Sequence, residues 1–109
     1  MPHLIIEHSH NLPVSEINLL NALHDTAAST QLFDPTTIKS RTIEFKHFKL
    51  GNNKCGFVHV QAHIIEGRTT EQKQLLSDAL LQQLQIQLTD EYQLSVHIYD
   101  LTPQIYRKN

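Results

Sequence analysis

The feature that most restricts the fold of this chain is the order of its strand-like and helix-like hydrophobic patterns. Residues 39–48 alternate apolar and polar side chains with a period of two, as half-buried β-strands do. Residues 2–8 form the first strand candidate, which would place Pro2, Leu4 and Ile6 on one face and His3, Ile5 and Glu7 on the other. Between them, apolar residues recur at helical spacing from Ser15 to about Thr30, and a proline-containing turn then ends the helix. The first part of the chain therefore predicts a β-α-β unit.

The same order recurs after a turn cluster at residues 51–54. Residues 55–65 form a third, longer strand pattern, a leucine-rich helical stripe follows Thr69, and residues 93–99 alternate again. Each predicted helix is long enough to carry the chain across the sheet, so that the strands on either side of it can lie parallel.

These patterns predict an α+β fold built from two β-α-β halves, residues 2–48 and 55–100, within a single domain spanning 1–109. Four strands form one mixed sheet, and both helices pack on the same face of it. The opposite face keeps apolar side chains that no third helix covers. We therefore expect further copies of the chain to cover it.

Both predicted helices carry start signals. Val14 is placed to form a hydrophobic staple at the start of the first helix. Thr69, with Gln72 three residues later, forms the capping box of the second helix. The apolar stripes are expected at Ile17, Leu20, Leu23, His24 and Ala27 in the first helix, and at Leu75, Leu76, Ala79, Leu80, Leu84 and Leu88 in the second.

Composition excludes several classes of partner. The chain has 109 residues and a formal net charge of -2, and its nine basic residues are scattered, so it has no basic patch for nucleic acid. No apolar run approaches the roughly 20 residues of a membrane span, and no secretory signal opens the chain. The single cysteine, Cys55, cannot form an internal disulfide, so we expect a cytoplasmic protein without nucleic-acid or membrane partners.

The amino terminus carries the clearest chemical signal. If an aminopeptidase removes Met1, the chain begins with Pro2, whose free secondary amine can act as a base. The apolar residues after it predict a buried strand, and such a strand would hold the nitrogen in one place. The alternative is that Pro2 is an ordinary second residue at a frayed terminus.

Three segments resemble the tautomerase superfamily, and within it the 5-carboxymethyl-2-hydroxymuconate isomerase family. They are Met1-Pro2-His3-Leu4-Ile5-Ile6-Glu7, Ile38-Lys39-Ser40-Arg41, and Phe57-Val58-His59-Val60 leading to Gly67-Arg68-Thr69. The resemblance implies a trimeric β-α-β-β-α-β protein that needs no cofactor or metal. It also implies tautomerisation of an unsaturated 2-hydroxy (di)carboxylic acid to its keto form, with Pro2 as the catalytic residue.

The same resemblance points to Arg68, Arg41 and Lys39 as substrate-binding residues. Family members commonly have arginine where this chain has Lys39, and a lysine lacks the planar fork that binds a carboxylate through two hydrogen bonds. An α-amino group has a pKa of about 7.7 to 8.0, so burial and nearby cations would have to lower the pKa of Pro2 toward neutrality. The same cations would stabilise the negative charge of a dienolate.

Each assignment has an alternative. For Arg68 the alternative is an exposed loop arginine, and for Arg41 it is a charge that protects a strand edge from aggregation. For the whole protein, the alternative is a catalytically inactive ligand-binding or structural member of the fold.

The histidine pairs His8/His10 and His59/His63 have spacings from which a zinc site could be built, but roles in hydrogen bonding within the sheet are favoured.

Overall fold

The computed structural model describes residues 2–109, and its elements follow the predicted order. Met1, whose removal belongs to the prediction about the terminus, lies outside the described residues. The helices and strands are β1 (His3–Ser9), α1 (Glu16–Ser29), β2 (Lys39–Phe45), β3 (Gly56–Ile65), α2 (Thr70–Gln87) and β4 (Tyr92–Leu101). A short 3₁₀ turn, Pro35–Thr37, precedes β2.

The four strands form one mixed sheet in the order β2-β1-β3-β4. Strand β2 pairs in parallel with β1, β4 pairs in parallel with β3, and the two central strands β1 and β3 are antiparallel. Each parallel pair is joined through a helix, as the two predicted β-α-β halves require. The predicted mixed four-stranded sheet is confirmed.

Both helices pack against one face of the sheet, where the hydrophobic core lies. The alternation of β1 places Leu4 and Ile6 on this face, and the alternation of β3 places Val58, Val60 and Ala62 there, all with no exposed surface. The opposite face, which we call the open face, carries the intervening residues of each strand. The partly exposed ones in β1 and β3 are His3, Ile5, Glu7, Phe57, His59, Gln61, His63 and Ile65.

The strand ends differ from the prediction because pairing decides where a strand stops. Strand β2 ends at Phe45 rather than at residue 48, since Phe45 pairs with Ser9 and β1 extends no further. His47, predicted on the same strand face, therefore lies beyond β2. Strand β4 is longer than predicted because all ten residues of β3 have a partner in it, from Tyr92 to Leu101.

The buried helix stripes also differ in part from the prediction. They run at a spacing of four residues, through Leu19, Leu23 and Ala27 in α1 and through Leu76, Leu80 and Leu84 in α2. Ile17 precedes Leu19 by two residues, which is about 200° around the helix, and it is 58% exposed. Leu75 is one residue off the stripe of α2 and is 52% exposed. The predicted burial of Ile17 and Leu75 is therefore wrong.

The predicted helix starts are confirmed. Ser15 caps α1 by accepting a hydrogen bond from the backbone N–H of Asn18, and Thr69 forms both hydrogen bonds of its capping box with Gln72.

Within residues 2–109, neither helix combines the length and the hydrophobicity that crossing a membrane requires.

Candidate active site

The topology brings four chain segments together at one end of the sheet. Strands β1 and β2 begin at this end, and β3 and β4 finish there. Pro2 lies directly before β1 and is buried, and its carbonyl accepts a hydrogen bond from the backbone N–H of Lys39 at 3.0 Å. In the sheet register, His3 stands between Lys39 of β2 and His63 of β3.

A cavity of about 260 Å³ opens on the open face at this end of the sheet. Two apolar side chains and four polar ones line it: Ile5, Leu101, His3, Arg41, His63 and Tyr106. Tyr106 comes from the segment after β4. The backbone N–H groups of Ile105 and Tyr106 both donate to the carbonyl of Thr102 at 3.1 Å and so form a turn. This turn directs the segment back toward the sheet.

His3 connects Arg41 and Tyr106 across this cavity. The guanidinium Nη1 of Arg41 donates to His3 Nδ1 at 3.1 Å, and His3 Nε2 lies 3.1 Å from the hydroxyl oxygen of Tyr106. A guanidinium can only donate, so Nδ1 must be the acceptor and the hydrogen of the neutral ring must be on Nε2. His3 therefore donates to the oxygen of Tyr106.

The electrostatic surroundings favour the neutral form of His3. Burial of the ring is the largest cause, followed by the charges of Arg41 and Lys39 and by nearby His63, and together they hold the pKa of His3 below its usual 6.5. Burial and Arg41 also lower the pKa of His63. The His63 ring stacks on Tyr99 at 4.7 Å between centroids.

Of the three predicted substrate-binding residues, only Arg41 lines this cavity. Lys39 is exposed on the same face, and its Nζ donates to the carbonyl of Thr37 at 3.1 Å. Lys39 thus contributes positive charge near His3 from outside the cavity wall.

Arg68 lies in the loop between β3 and α2, at the same end of the sheet but toward the helix layer. Its Nη2 donates to the carbonyl of Leu32 at 2.8 Å, and its guanidinium carbon lies 5.1 Å from the centre of the Phe33 ring. These contacts tie the loop after α1 to the loop before α2. Arg68 and Arg41 are therefore held by different partners in different layers of the subunit.

Sequence reasoning missed the contributions of His3 and Tyr106. His3 stands in the motif that begins with Pro2, and this adjacency was the available signal. Tyr106 carries no periodic signal, since the turn after β4 determines its position.

Three of the four histidines considered as metal-ligand pairs, His8, His59 and His63, form hydrogen bonds within the fold. His59 Nδ1 lies 2.7 Å from Ser95 Oγ, and the Nε2 atoms of His8 and His63 bond to Glu16 and Gln61. Within residues 2–109, no three His, Cys, Asp or Glu side chains are grouped so that they could hold a metal ion.

Comparison with solved structures identifies the fold. A 5-carboxymethyl-2-hydroxymuconate isomerase from Deinococcus radiodurans R1 is similar with a TM-score of 0.88 and 27% identity, covering 99% of this chain and 88% of that one. A fused 4-OT symmetric trimer matches with a TM-score of 0.77 and 23% identity, over 92% of this chain and 85% of that one. A macrophage migration inhibitory factor-like protein from Entamoeba histolytica has a TM-score of 0.76 and 12% identity, over 99% and 95% of the two chains.

Sequence comparison identifies the family. No curated protein sequence gives a significant match to this chain. The sequence profile of the 5-carboxymethyl-2-hydroxymuconate isomerase family, by contrast, matches residues 2–109. This chain therefore has the tautomerase fold and belongs to the 5-carboxymethyl-2-hydroxymuconate isomerase family.

Proposed function

We propose that this protein is a cofactor-free enol–keto tautomerase that acts on an unsaturated 2-hydroxy (di)carboxylic acid such as 5-carboxymethyl-2-hydroxymuconate. The observation that carries the proposal is the family match, which spans residues 2–109 and so begins at Pro2. The proposed base is the secondary amine that Pro2 carries once Met1 has been removed.

The reaction moves one proton and needs no oxidant. The amine of Pro2 takes the proton from the 2-hydroxyl group, the electron pair shifts along the conjugated system, and the protonated amine delivers a proton to a carbon. One group can serve as base and then as acid when its pKa lies near the working pH. Pro2 is buried, and Arg41 and Lys39 place positive charge around the adjacent His3. Burial and nearby positive charge are the two conditions that would favour the uncharged amine with which this cycle starts.

Arg41 is the proposed first carboxylate contact. It lines the cavity next to the start of β1, and its bond to His3 uses one of the five N–H donors of a guanidinium, which leaves others for a ligand. Lys39 and Arg68 are proposed as further contacts for a second carboxylate. For Arg68, the bond to Leu32 likewise occupies only part of the guanidinium.

The proposed assembly is a homotrimer. The fused 4-OT protein of similar fold is a symmetric trimer. Within residues 2–109 no element covers the open face, where Ile43 is 44% exposed and Tyr99 is 37% exposed. Burial of such side chains between subunits would contribute to association through the hydrophobic effect.

The test is an ultraviolet assay of ketonisation on protein whose intact mass shows that Pro2 is the first residue. 2-Hydroxymuconate and phenylenolpyruvate are the substrates, and Pro2→Ala is compared with the wild type. Accelerated ketonisation that falls on the order of 10²- to 10⁴-fold in Pro2→Ala is the expected result, since proton transfer by a positioned group contributes that much. A wild-type protein with a free terminus that accelerates neither reaction would instead be an inactive, ligand-binding or structural member of the family.

A further inference from the structure

We propose that Tyr106, oriented by His3, donates a hydrogen bond to the substrate oxygen that becomes negatively charged in the transition state. This inference rests on the proposed function, because it concerns the same end of the sheet and the same reaction. It assigns Tyr106 as a catalytic residue and His3 as a positioning residue.

The direction of the hydrogen bonds carries the proposal. Arg41 can only donate, which makes His3 Nδ1 an acceptor and leaves the ring hydrogen on Nε2. The Nε2–H group then donates to Tyr106 at 3.1 Å. The phenol oxygen accepts this bond, so its own hydrogen must point away from His3.

The cavity is where that hydrogen can find an acceptor. Tyr106 lines it together with Arg41, and within residues 2–109 the hydroxyl of Tyr106 has His3 as its partner and no other. Ile5 and Leu101 supply the apolar part of the wall. A planar conjugated acid matches this lining, with its carboxylate at Arg41, its carbon chain against the apolar residues and an oxygen at Tyr106.

The geometry also explains why a histidine suits this position. A group between Arg41 and Tyr106 must accept a hydrogen bond from Arg41 and donate one to Tyr106. A neutral imidazole does both with two nitrogens on opposite sides of one rigid ring. The edge-on contact of the His3 and Tyr106 rings, with centroids 6.1 Å apart at 71°, further restricts the orientation of the phenol.

The charged and titratable groups around His3 come from every neighbouring segment. Arg41 and Lys39 belong to β2, His63 to β3, and Tyr106 to the segment after β4. Burial of the ring, followed by the two cations, disfavours protonation of His3, and this preserves the donor and acceptor pattern through neutral pH.

The experiment compares Tyr106→Phe with Tyr99→Phe in the ketonisation assay, on protein with a verified Pro2 terminus. Both variants remove one phenolic hydroxyl from the same sheet face, but Tyr99 does not line the cavity. We expect Tyr106→Phe to lower kcat about 10²- to 10³-fold with little change in KM, because the lost bond strengthens only in the transition state. Tyr99→Phe should leave kcat unchanged.

Variants of His3 and the protonation of its ring test the positioning role separately. His3→Ala should lower kcat as Tyr106→Phe does, and His3→Gln should recover part of the loss because its amide has both an acceptor and a donor. In the wild type, ¹⁵N NMR of the imidazole should show the hydrogen on Nε2 at neutral pH. A hydrogen on Nδ1 would reverse the bond to Tyr106 and overturn the inference.

Turnover by the wild type separates a wrong role for Tyr106 from a wrong function for the whole protein. If the wild type turns over both enols but Tyr106→Phe matches Tyr99→Phe, only the role of Tyr106 is wrong, and the residue merely tethers the C-terminal segment. If the wild type with a free terminus turns over neither enol, both proposals are overturned.

Discussion

At the scale of single residues, the surroundings of His3 and His63 make the stability of the protein depend on pH. Burial and the charge of Arg41 lower the pKa of both rings from the usual 6.5, and Lys39 adds to the effect at His3, so the unfolded chain binds protons more readily than the folded one. Their contribution to stability is therefore fully present above about pH 6.5 and is lost as the pH falls through the lower folded values.

We expect the thermal unfolding midpoint to decrease between pH 7.5 and pH 5.5 at a fixed protein concentration, and to decrease less in His3→Gln. Glu16 should not interfere in this interval. The pKa of Glu16 is lowered from 4.5, chiefly by its hydrogen bond to His8, so its contribution is lost only in more acidic solution. A midpoint that stays constant or rises on acidification would contradict the assignment of neutral rings at His3 and His63.

The two arginines permit a second prediction at this scale. If Arg68 binds the second carboxylate, Arg68→Ala should reduce kcat/KM for the dicarboxylate 2-hydroxymuconate far more than for the monocarboxylate phenylenolpyruvate. Arg41→Ala should reduce both, since Arg41 is the proposed contact for the carboxylate that the two compounds share. Equal losses on the two compounds in Arg68→Ala would leave Arg68 with the structural role that its bond to Leu32 already gives it.

The sequence predicts only the part of the site that depends on the type and spacing of side chains. The sequence motifs predict site residues at Pro2 and Arg41, and the strand register brings the segments that carry them together. The partner of Arg68 is a backbone carbonyl 36 residues away, which no side-chain pattern can reveal. Tyr106 was missed for a related reason, because its position depends on a turn and on a contact with His3 from the opposite end of the chain.

At the scale of elements, the packing of β3 against the end of β1 gives a prediction about Gly56. A Cβ atom at Gly56 would lie 2.3 Å from Ser9 Oγ and 2.7 Å from Asn11 Oδ1. Ser9 is fully buried and accepts a hydrogen bond from the backbone N–H of Phe57 at 3.1 Å, so it cannot move away without losing that bond.

Gly56→Ala should therefore lower the free energy of unfolding by about 1 to 3 kcal/mol, the usual cost of inserting a methyl group into well-packed structure. Gly51→Ala is the matched control, because nothing lies within 4 Å of the Cβ atom that it would add. Urea unfolding of the two variants tests the difference. Equal stability would mean that β1 and β3 are less tightly joined at this end than the contacts of Gly56 imply.

The elements also explain which boundaries were predictable. Capping residues act locally, so the starts of α1 and α2 at Ser15 and Thr69 could be read from the sequence. Strand ends depend on the length of the partner strand, and β2 stops with β1 although its own alternation continues. The helix stripes were misjudged at Ile17 and Leu75 because apolar character alone does not indicate which side of a helix meets the sheet.

At the scale of the whole molecule, the open face predicts self-association. Light scattering coupled to size exclusion should give three times the chain mass of 12.6 kDa. Ile43→Lys, which introduces a charge on the open face, should weaken the trimer, whereas Ile86→Lys should not, because Ile86 is 68% exposed on α2, in the helix layer. A monomer at micromolar concentration would contradict the proposed assembly.

The most direct test of the proposed function varies only the first residue of the same protein. A preparation that retains Met1, in which the nitrogen of Pro2 is an amide without a basic lone pair, is assayed for ketonisation of 2-hydroxymuconate. The same preparation is assayed again after a methionine aminopeptidase has exposed Pro2, with intact mass confirming each state. We predict that exposure of Pro2 raises kcat/KM on the order of 10²- to 10⁴-fold, as expected for a positioned acid–base group. Equal turnover before and after removal of Met1 would show that the amine of Pro2 is not the base.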